Sequence, residues 1–194
     1  MRRRFITFLI VVALIVVAVL LWITARAPAQ SSVGANACLS GQQGCLRFPV
    51  ISGDNLLGQS FTLPADFKGS DVLVIVPFDE NQQVSAQTWL PLARDLAADD
   101  PDFAYYNVPV FPSMAAPLRA LIRSGMTLSI TDPQLRAITI TVFLDDRDSF
   151  LASLNIPNAD AMQVFLLDAS GDLLWRGAGD YDSGQGAALT ALVK

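Results

Sequence analysis

The chain contains no histidine. That absence removes serine–histidine and cysteine–histidine pairs, histidine general bases and histidine metal sites. Cysteine is nearly as scarce: only Cys38 and Cys45 occur, in "CLSGQQGC", and none follows. Basic charge is also sparse. Beyond residue 25 there are 18 acidic and 10 basic side chains, a balance of −8. Phosphate binding needs a basic surface, so no nucleic-acid partner is expected. All the acids but Glu80 are Asp, a residue of turns and helix caps. "DDRD" (Asp145–Asp148) and "DYD" (Asp180–Asp182) lack the alternating ligands and terminal Glu of a calcium loop. Asp79 and Glu80 are neighbours on one turn, not carboxylates facing across a cleft as glycoside cleavage needs. No metal and no cofactor are expected.

Three segments divide the 194 residues. Residues 1–25 open with Arg2, Arg3 and Arg4, then run uncharged from Phe5 to Ile23. As a helix that run comes close to the roughly 30 Å hydrocarbon core, with Trp22 at the lipid–water boundary. The arginines should stay in the cytoplasm and send the rest across the membrane. The segment reads as a membrane anchor. "APA" at Ala27–Ala29 also fits a signal cleavage site, so an anchored and a secreted form both remain open. Either places the domain in the periplasm or otherwise outside the cytoplasmic membrane. Residues 26–47 form a tether holding both cysteines, and residues 48–194 read as one globular domain.

Within that domain "LLGQSFTLPADFKGS" predicts two short extended pieces around turns at Gly58 and Pro64. "DVLVIVPF" is a strand covered on both faces. A helix is expected from about Val84 to Ala98, its stripe being Val84, Thr88, Leu92 and Leu96 with Trp89 beside it. Pro91 should kink it or delay its start. "FAYYNVPV" is a second strand. A helix containing "APLRALIRSG" should stop at Gly125. "AITITVF" (Ala137–Phe143) is a third strand, and Asp148 should cap a short helix after it. "AMQVFLLDASGDLLWRGAGDY" predicts a hairpin around Asp168–Asp172, with Gly171 in the left-handed conformation. "SGQGAALTALVK" is a last helix. Trp89 and Trp175 read as core aromatics.

The order β-α-β-α-β-α-β-β-α is an α/β plan with a mixed sheet flanked by helices. With "GQSFTLPADFKGSDVLVIVPF" as lead-in and "VFLLDASGDLLWRGAGDY" as closing hairpin, it resembles the thioredoxin-like superfamily. It looks most like the membrane-tethered thiol–disulfide and peroxiredoxin-like branches, over roughly Val50 to Val193. "LRALIRSGM", "FLDDRDSFLASLNI" and the Asp-turn-Trp hairpin are loosely similar to thioredoxin-like ATP-synthase assembly factors. The resemblance implies reactive cysteines between the first core strand and its helix, where the helix N-terminus favours a thiolate. Here that place falls within "NQQVSA" (Asn81–Ala86). The family's cis-proline falls at about Met162, where a trans bond is expected. The fold is kept and its redox centre is missing.

The turn "DENQQ" therefore reads either as a solvated helix start capped by Asp79 or Asn81, or as a polar binding patch. Asp79, Glu80, Asn81, Gln82, Gln83 and Met162 are the candidate groove, and no catalytic residue is assigned. In an oxidising compartment Cys38 and Cys45 should pair, restricting the tether by roughly 2.5 kcal/mol. The function implied is a redox-inactive, membrane-tethered module that binds envelope proteins, for example during assembly. The alternatives are an oxidoreductase using Cys38–Cys45, and a small-molecule binder with no ligand specified.

Overall fold

The computed structural model describes residues 45–193. The apolar run 5–23, Cys38 and most of the tether lie outside them. Among the described residues no helix is long and apolar enough to cross a membrane.

Strand β3 (Asp71–Val76) is the centre of the domain, and all six of its residues are buried. Only a strand covered on both faces makes a continuous apolar run pay. It runs parallel to β4 (Phe103–Asn107) and antiparallel to β7 (Gln163–Asp168), which turns back as β8 (Leu173–Ala178). Helix α1 (Gln82–Asp99) makes the crossover from β3 to β4. A second ladder joins β1 (Ile51–Asn55), β2 (Ser60–Leu63), β5 (Val110–Pro112) and β6 (Ile140–Leu144), in the order β2-β1-β6-β5. The ladders meet where the chain passes from β4 into β5. Asn107 bridges Thr139, the Val110 N–H bonds the Pro77 carbonyl at 2.9 Å, and the Val142 N–H bonds the Pro109 carbonyl at 3.0 Å. Helices α2 (Ala116–Ser129) and α3 (Pro133–Ile138) precede β6, α4 (Arg147–Ser153) follows it, and α5 (Ser183–Thr190) closes the chain. The expected order holds, with β5 and α3 added.

Alternate residues of β3 feed two cores. Leu73 and Ile75 pack with Val164, Leu166, α1 and Leu189 of α5. Val72, Val74 and Val76 face the other way, onto Phe165, Leu167, β6 and α4. Each fully buried side chain of this kind stabilises the domain by about 1.5–3 kcal/mol. Phe48 fixes the lead-in: its ring meets Phe67, Phe150 and Phe165 edge to face. In the first core Trp89 lies 6.0 Å from Trp175 and donates its indole N–H to the Gly179 carbonyl at 2.9 Å. Both indoles are core residues, as expected.

The chain after the tether joins one end of this sheet. Arg47 bridges Asp172 and donates to the Ser170 carbonyl, and the Phe48 N–H bonds the Gly171 carbonyl. Gly171 has φ of 83°, the left-handed value that the hairpin turn requires.

Several expectations are corrected. The α1 stripe is Ala86, Trp89, Leu90, Ala93 and Leu96; Val84 is 69% exposed. Residues counted strictly four apart drift about 40° per step and leave the core face, whereas mixed steps of three and four stay on it. The helix also begins at Gln82 and runs through Pro91, an exposed position. Helix α2 does not stop at Gly125 but continues to Ser129. A helical glycine costs about 1 kcal/mol relative to alanine, too little to end a helix by itself. The cap of α4 is Asp146, not Asp148: its carboxylate accepts from the Ser149 N–H at 2.9 Å.

Helix α2 is held to β1 and β6 by Arg123, which donates to Asp54 and to the Thr141 hydroxyl. Burial pushes the Asp54 carboxyl up. Its bonds from Ser60 and Arg123, with the charges of Arg123 and Arg119, outweigh that and hold it below 3.8.

Candidate functional site

The turn after β3 carries the polar candidates. Pro77 and Phe78 continue the strand inward, and Asp79, Glu80 and Asn81 are exposed. Asp79 supplies the helix start: its carboxylate accepts from the Gln82 N–H at 3.0 Å. Asn81 occupies the cap position but makes no side-chain cap bond. The cap is thus provided from two residues upstream.

Gln82, the first residue of α1, points inward and is buried. Its amide oxygen accepts from the Phe78 N–H at 2.8 Å, and its amide nitrogen donates to the Ala159 carbonyl at 2.8 Å. Ala159 belongs to the loop before β7. One side chain therefore ties the β3–α1 turn to the loop that leads into the hairpin. Without it the buried Phe78 N–H would lose its partner.

Met162 is 1% exposed and packs in the α1 core, and its carbonyl accepts from the Gly179 N–H at 3.0 Å. Among the described residues the single cis peptide is Leu63–Pro64, so the bond before Met162 is trans. The candidates therefore separate. Asp79, Glu80 and Asn81 form an exposed polar rim; Gln82 and Met162 lie beneath it as interior ties.

Gln83 is half-buried and faces a shallow depression with Ala86, Gln87, Leu90, Asn107, Ile130 and Leu135. The Asn107 amide donates to the Gln83 amide oxygen at 3.4 Å, a long bond. The Gln83 nitrogen and the Asn107 oxygen have no partner. Sequence reasoning missed Asn107. Its signal was a polar residue at the carboxyl end of a parallel strand, where α/β sheets open toward ligands.

No protein-family model matches the chain, and no curated protein matches its sequence. Solved structures do match its shape. The thioredoxin domain of a thiol–disulfide oxidoreductase from Bacteroides vulgatus superposes with a TM-score of 0.50 at 19% identity, over 79% of this chain and 100% of that one. The fold is thioredoxin-like. A thiol–disulfide oxidoreductase from Bacteroides fragilis gives 0.50 at 16% identity, over 75% of this chain and 98% of its own. BsSco, a member of the Sco family of cytochrome c oxidase assembly proteins, gives 0.52 at 12% identity, covering 76% and 91%. At these identities the likeness speaks for the fold alone. In this chain's thioredoxin-like fold, residues 81–86 contain no cysteine.

Nothing in the rim can pass electrons. Amide and carboxylate side chains can accept and donate hydrogen bonds, and the helix start is already filled by the Asp79 carboxylate. The arrangement presents carboxylate and amide groups at the surface beside α1.

Proposed function

We propose that this chain is a membrane-anchored, extracytoplasmic, redox-inactive thioredoxin-like domain that acts as a protein-binding or assembly module in the cell envelope. The observation that carries the reading is Gln82. A side chain at the first turn of α1 is the one that a thiol mechanism would use, and here it is an amide with both ends engaged by backbone. Asp79, Glu80, Asn81 and Gln83 then form the contact edge. Anchoring follows from the uncharged run after Arg2–Arg4, and the Cys38–Cys45 disulfide serves as a staple in the tether.

The alternative, an oxidoreductase using Cys38 and Cys45, is disfavoured by where the tether joins. Cys45 lies two residues before Arg47, which meets Asp172 at the Asp71 end of β3. The Asp79–Gln83 turn follows the other end, roughly 17 Å along the strand. Cys45 thus joins the domain at the pole away from the rim.

Insulin-disulfide reduction tests the reading. The full chain should show no turnover above background, and the Cys38→Ser, Cys45→Ser double variant should behave the same. Turnover that disappears in the double variant would reverse the conclusion. Crosslinking from the rim in intact membranes should capture recurrent protein partners; their absence counts against the module.

A further inference from the structure

Helix α2 carries its apolar side outward. None of its 14 residues is buried. Leu118, Leu121 and Leu128 are 47%, 67% and 81% exposed. At about 100° per residue they share one side of the helix with Pro117, Ser124 and Gly125. All of these are exposed, and none is charged. The charged groups point the other way. Arg123 reaches Asp54 and Thr141, and Arg119 lies over the Phe143 ring, 6.0 Å from its centre. A surface helix ordinarily turns its apolar stripe to the core and its charges to water. Here guanidinium groups hold the helix to the domain and leucines face outward.

Charge, size and reach select what covers this face. No acidic residue occurs between Asp102 and Asp132, and both arginines of α2 fall in that interval. The leucine face itself carries no charged side chain, so it adds no repulsion toward an anionic layer. A helix of 14 residues is roughly 21 Å long. One face of it offers on the order of 200 Å², against about 800 Å² per partner in a stable protein interface. A second copy of the chain needs more than this face provides, whereas a lipid interface accepts an apolar helix face without a matching shape. Residues 24–44 separate the apolar run from the described domain, and a chain of that length reaches at most about 70 Å. A domain anchored through residues 5–23 is therefore within reach of the bilayer surface.

We propose that the Leu118–Leu121–Leu128 face of α2 docks on the interfacial layer of the membrane, with lipid as its occupant. The inference rests on the anchored reading above. Docking sets the leucines into the acyl boundary and leaves the Asp79–Asn81 rim to other partners.

The test uses the full chain reconstituted in vesicles of mixed phosphatidylcholine and phosphatidylglycerol. Photoreactive benzoylphenylalanine replaces Leu128, or Ala188 on α5 as a control that is also exposed. Lipid adducts at position 128 should exceed those at position 188 by roughly tenfold, and Leu121→Asp should cut the adduct at 128 several-fold. Equal labelling at the two positions, or adducts at 128 to a second copy or another protein in place of lipid, overturns the docking. Resistance to alkaline-carbonate extraction is read on the same samples. A chain that resists extraction but is unlabelled at 128 overturns the docking alone; a chain that is extracted overturns the anchoring and the docking with it.

Discussion

Gln82 and Ala159 lie 77 residues apart in sequence and are joined by a 2.8 Å hydrogen bond from the glutamine amide to the alanine carbonyl. This bond closes the thioredoxin-like fold at the place where related proteins of that fold are expected to open it for chemistry. It makes the junction a structural tie, and a tie can be cut and measured.

Gln82→Ala removes both amide bonds and leaves the Phe78 N–H and the Ala159 carbonyl without them. Stability should fall by about 2–4 kcal/mol, read as a lower urea midpoint with an unchanged slope. An unaltered midpoint would show that water takes over both bonds at no cost.

Gly125→Ala should stabilise the domain. The position lies inside α2, its φ is not in the left-handed region, and a Cβ there meets nothing within 4 Å. The expected gain is about 1 kcal/mol, from helix propensity and a less flexible unfolded chain. Thermal unfolding measures it; a loss of stability would mean that the glycine conformation matters.

Asp54 and Arg123 should give α2 a pH dependence. The Asp54 carboxyl is held below its unfolded value of 3.8, so the folded state favours the carboxylate. That contribution is fully present above 3.8 and disappears as pH falls through the lower folded value. Both side chains are about a third exposed, so the screened pair is worth about 1 kcal/mol. In Asp54→Asn the difference from the parent should be greatest at neutral pH and vanish in acid. A difference that grows in acid contradicts this assignment.

Trp89→Phe should cost about 1–2 kcal/mol, since the Gly179 carbonyl loses its indole donor while most of the ring packing survives. Trp89→Ala should cost about 3–5 kcal/mol, because it also empties a fully buried site. Equal costs for the two would place the whole effect in the hydrogen bond.

What could be read from the sequence was whatever repeats locally. Five apolar residues in a row, Val72–Val76, made β3 a doubly covered strand, and Asp168–Asp172 with Gly171 made a turn. The register of α1 was misread because spacing by four looks helical yet wanders off the core face; small Ala86 and Ala93, which let the helix lie close to the sheet, carry less signal than Val84. Helix α3 was missed although Asp132 before Pro133 is a start signal, and the Asp132 carboxylate accepts from the Gln134 N–H at 2.9 Å. The site was legible as a polar turn but not as an inward tie. Glutamine can point either way, and the carbonyl that fixes Gln82 comes from a loop that no local pattern connects to it.

The seam at Arg47, Ser170 and Asp172 has a mechanical consequence. Any pull along the N-terminal leader arrives at the hairpin tip and is spread into the β7–β8 and β3–β7 pairings before it can disturb α1. The opposite pole, with its crown of Asp79, Glu80 and Asn81, lies at the far end of those pairings from the point of load.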